Sequence, residues 1–272
     1  MPKNMKTSLT VFIFICLIFS LSNIVSASES NDLKEQCITI LKNGMISESE
    51  TVRNDAIWYW GEVRIKDPVV EKRISEILSK DKSAYVKVAA INTIGKLQGK
   101  AAIPLLTKEL VYRGSQAYLV HLSAAVTLYN LGEKNTLESI KSYMNSENIV
   151  WSIEASTNAG SLNDGSLIPL LKEKLSTKNR LLKIAVLESL AHLGYNIPNH
   201  EIVSLVEQGD ILPAINIIKI LKKRDFIGTL KKELNSKNPM IQLDVAAALV
   251  TLGEIKYKEH IRKHLIKKAI LS

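Results

Sequence analysis

The sequence is poor in the residues that build disulfide frameworks and catalytic centres. Its 272 residues include two cysteines, Cys16 and Cys37, which are too few for a disulfide-stapled scaffold. No Gly-rich phosphate loop, G-x-S-x-G, C-x-x-C or H-E-x-x-H motif occurs. Cys37 lies in the apolar run C-I-T-I-L, where a buried inert thiol is favoured over a nucleophile. We therefore expect that the chain is not an enzyme, with no catalytic residue and no cofactor.

Histidine is scarce as well, and only His260 and His264 have the i, i+4 spacing that could clamp a metal ion on the last helix. A third ligand is not evident near them, and Arg262 and Lys263 would repel a cation. A solvated basic helix is the expected structure there, and no metal site is predicted.

The first 27 residues have the pattern of a signal peptide. Lys3 and Lys6 precede an apolar run at 9–21, and V-S-A at 25–27 suits cleavage after Ala27. The run is short for a bilayer span of about 20 residues, and an uncleaved amino-terminal membrane anchor is the alternative. We expect an exported protein, periplasmic or extracellular, with a mature domain at residues 28–272. Removal of Lys3 and Lys6 lowers the formal net charge from +9 to +7.

Proline and glycine are sparse and regularly spaced, and no stretch alternates like a β-strand. Apolar residues recur at helical spacing in seven similar segments, 28 to 34 residues apart, which begin at Ala56, Ala90, Ala124, Ala155, Val186, Ala214 and Val245. The residues four and seven positions further on are apolar in every copy, so each segment presents one core stripe. Trp60 occupies the first of these two columns and is predicted to be a core residue.

A second amphipathic segment lies between consecutive copies, as at 103–110 and 168–175, with Pro104 and Pro169 near the helix starts. Each unit is thus a helical hairpin that must stack on its neighbours to bury its apolar face. The predicted fold is all-α: an α-solenoid of stacked antiparallel helix pairs, with about seven repeats and about fifteen helices.

The repeat resembles HEAT repeats, particularly the bacterial HEAT-like repeats of the phycobilisome-lyase type. The resemblance covers nearly the whole of 28–272 and rests on T-V-R-N-D-A at 51–56, Y-V-K-V-A-A at 85–90 and the L-G ends at 131–132, 193–194 and 252–253. The sixth unit, G-D-I-L-P-A at 209–214, departs from the pattern because it lacks the basic residue. The resemblance implies scaffolding and partner binding and offers no catalytic motif.

His121 shares the column of Arg53 and Lys87, so it is interpreted as a repeat-position residue.

The solvent-facing columns of the second helices are the predicted partner-binding face. Trp58 stands out in the first copy: it either anchors a partner beside Tyr59 or packs under the first helix. Later copies carry mostly Asn, Thr and Ser, which is typical of a hydrogen-bonding surface and equally of any solvated helix face. The predicted partner-binding residues are Asp55, Trp58, Tyr59, Glu62, Asn92, Thr93, Lys96, Thr127, Asn130, Thr157 and Asn158.

Basic residues concentrate toward the carboxyl end, at 222–224, 231–232 and 256–268. They suit an anionic partner or a solvated terminal cap. No aromatics interleave with them, so nucleic-acid binding is not expected.

The predicted function is an exported, non-enzymatic, monomeric scaffold that binds a protein or peptide on the face of the second helices. One alternative is a bilin-lyase-like subunit for chromophore attachment or isomerisation. Another is an envelope-associated structural protein that binds anionic surfaces through its basic end. Membrane contact is expected only through that end or an uncleaved signal.

Overall fold

The computed structural model describes residues 27–114 and 116–262, with side chains from Lys34 onward. Within these ranges the chain is built from α-helices joined by short turns and 3₁₀ segments, and it contains no β-strand. No helix in the described ranges is long and apolar enough to cross a bilayer. The predicted signal sequence, apart from Ala27, lies outside the described residues. Residues 263–272, which include the last lysines of the predicted basic end, lie outside them as well.

Fourteen α-helices follow one another in the described part of the chain, and they confirm the predicted all-α class. The first seven are α1 (Ala27–Gly44), α2 (Glu50–Val63), α3 (Pro68–Lys80), α4 (Ala84–Gln98), α5 (Ile103–Glu109), α6 (Ala117–Leu131) and α7 (Leu137–Met144). The other seven are α8 (Ile149–Ala159), α9 (Ile168–Glu173), α10 (Arg180–His192), α11 (Asn199–Glu207), α12 (Ile211–Ile220), α13 (Ile227–Glu233) and α14 (Pro239–Thr251). Odd numbers are the first helices of the repeats, and even numbers are the second helices.

The helices form two compact units, which meet in sequence between Tyr143 and Met144. In unit 1 the second helices α2, α4 and α6 pack side by side, and the first helices α3 and α5 lie against α4 and α6. In unit 2 the second helices α8, α10, α12 and α14 pack in the same serial manner, with α11 against α12 and α13 against α14. Each unit therefore has a layer of second helices covered by first helices.

The predicted core columns are buried in both units. Ala56, Ala90 and Trp60 have no solvent exposure, and neither does Leu190 in unit 2. Small residues in the first column let the helices approach closely, while the larger ones fill the space between layers. The predicted L-G ends are also present. Gly132, which follows α6, has a φ of +112°, a conformation that L side chains rarely adopt.

Close contacts between adjacent second helices depend on glycine in one helix and a hydroxyl residue in the next. A Cβ on Gly61 would lie 2.6 Å from Oγ1 of Thr93, and one on Gly160 would lie 3.2 Å from Oγ of Ser189. The Thr93 hydroxyl donates a hydrogen bond to the Ile57 carbonyl at 2.9 Å. Absence of a side chain at the glycine thus lets a hydroxyl reach the backbone of the preceding second helix.

A second set of contacts fixes each second helix to the end of the first helix before it. In five repeats a side chain in the column of Arg53 donates a hydrogen bond to a carbonyl near the end of the preceding first helix. Representative distances are 2.9 Å from Arg53 to Ser47, 2.6 Å from Ser152 to Met144 and 2.7 Å from Gln242 to Ser236. We call these residues the donor column: Arg53, Lys87, His121, Ser152 and Gln242.

The larger donors also reach the next repeat. Arg53 forms a two-pronged ion pair with Asp81, and buried Lys87 lies 3.7 Å from the carboxylate of Glu109. The second helices α2 and α4 are therefore linked to the first helices on both sides of them.

Cys37 lies half-buried on α1.

Candidate partner-binding face of the second helices

The run of three aromatics on α2 is divided between the core and the surface. Trp60 has no solvent exposure, and its indole N–H has no hydrogen-bond partner among the described residues. Trp58 is 44% exposed and meets Tyr59 edge-on, with ring centroids 4.9 Å apart. Tyr59 is half-buried against the core, which fixes the base of the pair. The structure thus places Trp58 at the surface beside Tyr59.

Acidic groups border this aromatic pair. Burial, and next the nearby Asp55 carboxylate, raise the pKa of Tyr59 above its ordinary value of 10.0, so its hydroxyl stays protonated at neutral pH. Glu62, one turn further along α2, forms an ion pair with Lys96 of α4. The surface at Trp58 therefore combines an exposed indole, a neutral phenol and carboxylates.

Part of the predicted face is covered by neighbouring helices. Thr93 and Thr127 are buried, at 1% and 8% exposure, because their columns lie at the contact between adjacent second helices. Asn92 is half-buried and accepts hydrogen bonds from Ser123 at 3.2 Å and Thr127 at 3.4 Å. The exposed face of unit 1 therefore excludes Thr93 and Thr127.

The other predicted residues keep access to solvent. In unit 1 the structure brings them together on α2, α4 and α6; the exposed ones are Trp58, Glu62, Lys96 and Asn130, and the half-buried ones are Asp55, Tyr59 and Asn92. In unit 2, Thr157 is exposed and Asn158 is half-buried.

His121 is part of the donor column, and its ring hydrogen bonds are satisfied. Nε2 lies 2.7 Å from the Tyr112 carbonyl, and Nδ1 lies 3.1 Å from the Tyr143 hydroxyl. A carbonyl can only accept, so Nε2 carries the proton and Nδ1 accepts from Tyr143. Burial raises the pKa of Tyr143, which keeps that hydroxyl a donor. The geometry is that of a helix-to-helix contact and leaves no nitrogen for substrate.

Charged groups elsewhere are dispersed or paired. Within residues 27–114 and 116–262, no three His, Cys, Asp or Glu side chains converge as metal ligands. His260 is exposed, and its predicted companion His264 lies outside the described residues. Among the basic residues near the carboxyl end, Lys231 lies 3.1 Å from Glu254 and Arg262 lies 3.6 Å from Glu259. These pairs offset part of the positive charge.

One exposed feature was missed by sequence reasoning: the second residue of many second helices is apolar. Tyr85 on α4 and Leu181 on α10 are 51% and 63% exposed. The signal was present in the sequence, five residues before the start of the aligned copies. That position lies outside the core columns on which the alignment of the copies was made.

Comparisons with known proteins give a similarity of fold. No family model matches the sequence, and no curated protein matches it. Among solved structures, the chain is similar to the complex of CpcE and CpcF of phycocyanin lyase from Nostoc sp. PCC7120. The TM-score is 0.54 at 16% sequence identity, over 82% of this chain and 93% of that chain.

This similarity supports the HEAT-like helical-repeat architecture and corrects one expectation. The expectation that the chain is not an enzyme is contradicted, because the structural neighbour is a lyase complex built on the same fold. A helical-repeat fold therefore does not by itself indicate scaffolding alone. What the chain shares with that lyase is the arrangement of its helices.

Proposed function

We propose that this chain is a helical-repeat subunit of lyase type that binds a protein partner on the exposed face of its second helices. The observation that carries the proposal is the helical arrangement shared with the phycocyanin lyase complex over most of both chains. That complex contains two different subunits, which supports association with a second protein. By analogy, the partner of this chain carries or receives a linear tetrapyrrole.

The surface around Trp58 supports the contact with this partner. An exposed indole held by a half-buried phenol offers a rigid apolar area that loses little side-chain entropy on binding. Asp55 and Glu62 next to it provide acceptors for the polar margin of an interface. Trp58 is therefore the side chain expected to contribute most to binding.

The test measures uptake of a tetrapyrrole and its dependence on Trp58. Purified full chain is titrated with biliverdin, followed by its absorption spectrum, and is also used to capture partners from the native organism's extract. We expect a saturable spectral change or a specific co-purified polypeptide that carries the chromophore. Trp58→Ala should weaken the interaction about tenfold, as loss of an interface anchor does. Val69→Ala, an exposed apolar residue on α3, is the matched control.

A chain that neither takes up biliverdin nor captures a chromophore-bearing polypeptide would contradict the lyase-type assignment. Equal losses in Trp58→Ala and Val69→Ala would contradict the location of the contact.

Export is part of the proposal and rests on the sequence of residues 1–27. Cell fractionation and amino-terminal sequencing of the native protein test it. We expect a mature chain beginning at Ser28 outside the cytoplasm; an intact amino terminus in the cytoplasmic fraction would contradict export.

A further inference from the structure

In the described part of unit 2, a row of apolar side chains is exposed to solvent. Each of its four second helices has an exposed apolar residue at its second position, although these positions are normally polar on a solvated helix end. Their exposures lie between 43% and 63%. We call this row the apolar strip: Val150 on α8, Leu181 on α10, Leu212 on α12 and Met240 on α14.

The four helices that carry the strip pack in series. α8 contacts α10, α10 contacts α12, and α12 contacts α14. α12 begins three residues later than the other three helices, relative to the aligned copies, so Leu212 corresponds in the repeat to the half-buried Ile153, Ile184 and Leu243. These residues lie one turn further along their helices and extend the strip inward. Clustered apolar exposure of this kind marks an interaction surface more often than scattered single residues do.

The charges on the two sides of the strip differ. On the side toward the helix middles lie Glu154, Glu188 and Asp244, all half-buried, and none forms an ion pair within the described part of the chain. Glu188 accepts one hydrogen bond, from Asn216 at 3.1 Å. This acidic border occurs in a chain whose formal net charge is +9. The cations nearest to Leu181 on α10, Arg180 and Lys183, are already paired with Asp210 and Glu201, so the three carboxylates are left for a cationic group of a partner.

The opposite side of the strip carries groups of both signs. Lys178 and Lys237 are exposed in the turns before α10 and α14, whereas Glu147 and Asp210 precede α8 and α12. An occupant therefore meets carboxylates along one edge of the strip and both ammonium groups and carboxylates along the other.

We propose that the apolar strip of unit 2 binds an amphipathic helix of a partner protein, with its Lys and Arg residues along the Glu154, Glu188 and Asp244 edge. Packed helices lie about 8–10 Å apart, so the strip presents one apolar side chain about every 10 Å. Seven residues of an α-helix rise about 10.5 Å, so leucines at heptad spacing match it. This is the helix-in-groove mode of recognition, with anchors set by the repeat. It is separate from the Trp58 contact in unit 1.

The test uses a synthetic helical peptide of about 21 residues with Leu at heptad spacing and Lys on one flank. Its binding to the full chain is followed by fluorescence anisotropy. Two comparison peptides have Glu in place of Lys, or the same composition in scrambled order. We expect the Lys peptide to bind most tightly, and added salt to weaken its advantage over the Glu peptide.

Variants of the protein locate the contact. Leu181→Ser with Met240→Ser should weaken binding of the Lys peptide about tenfold or more, because two exposed anchors are lost. Glu154→Lys with Asp244→Lys should remove or reverse the preference for Lys over Glu. Val203→Ser, at another exposed apolar site of unit 2, on α11, should leave the dissociation constant unchanged. Circular dichroism confirms that each variant is folded.

Equal binding of the scrambled peptide would overturn the proposal, as would an unchanged dissociation constant in the Leu181→Ser, Met240→Ser protein. Wild-type protein that dimerises in sedimentation, and becomes monomeric in that double variant, would assign the strip to self-association and overturn it too. Trp58→Ala should not affect peptide binding. A negative result in this experiment is therefore distinguishable from a negative result in the tetrapyrrole test.

Discussion

Replacement of Gly61 by alanine tests how closely the second helices of unit 1 pack. Gly61 lies inside α2, and alanine is intrinsically favoured over glycine in a helix by about 1 kcal/mol. At this site, however, the added Cβ would lie 2.6 Å from Oγ1, 3.2 Å from Cβ and 3.3 Å from Cα of Thr93. The last two atoms cannot rotate away, so α2 and α4 must separate.

The expected magnitude follows from opposing terms. Over-packing a close contact costs about 1–3 kcal/mol. Displacement of Thr93 also weakens its hydrogen bond to Ile57, which is worth about 1 kcal/mol. After the gain in helix propensity, Gly61→Ala should lower the free energy of unfolding by about 1–3 kcal/mol.

Gly228→Ala is the matched control. Gly228 is exposed on α13, and a Cβ there would have no neighbour within 4 Å. This variant should be stabilised by up to about 1 kcal/mol. Urea unfolding followed by far-UV circular dichroism compares the two proteins. In a double-mutant cycle, Thr93→Ala should cost less in the Gly61→Ala background than in the wild type. Gly61→Ala protein as stable as the Gly228→Ala protein would refute the close-packing argument.

Three further predictions follow from the described contacts. Trp60→Ala should lower the free energy of unfolding in urea by about 3–5 kcal/mol, whereas Trp58→Ala should change it by less than about 0.5 kcal/mol. Equal losses would place both indoles in the core. Burial raises the pKa of Asp81, but the hydrogen bonds from Arg53 and the Ser83 N–H outweigh it, so its pKa lies below 3.8. The stability from this carboxylate is therefore present above pH 4 and lost as pH falls through the lowered pKa, and Asp81→Asn should flatten the acid limb of the stability–pH profile. Glu109→Leu should destabilise by about 3 kcal/mol because it leaves the Lys87 ammonium buried without its carboxylate, and Lys87→Met in the same protein should recover much of that loss in thermal unfolding.

The core could be predicted from the sequence because its columns are set by the helix period alone. Trp60 falls in a column of Ile and Leu, and it is fully buried. The all-α class and the L-G helix ends follow from the same kind of local pattern.

The exposed face was harder to predict because exposure depends on the neighbouring helix. Thr93 and Thr127 look like solvated polar residues in a single helix, yet each is covered by the second helix before it. A signal existed in the sequence. Gly61 precedes Thr93, and Gly95 precedes Thr127, by the same number of residues. Pairing a glycine in one repeat with a hydroxyl in the next would have identified the interface.

The apolar strip was missed for the opposite reason. Leu181 and Met240 are apolar residues that lie five positions before the aligned copies start, outside the core columns, so the alignment does not show whether they are covered. Only the packing of the helices shows that these side chains stay exposed among the described residues of unit 2.

The donor column has a consequence for how these repeats can diverge. Five copies have at this position a side chain that donates to a carbonyl, and Arg53, His121, Ser152 and Gln242 do so with different chemistry. Selection that maintains a hydrogen bond leaves the residue type free to drift. Repeats held in this way can lose recognisable sequence similarity to each other and to relatives while their helices stay in place.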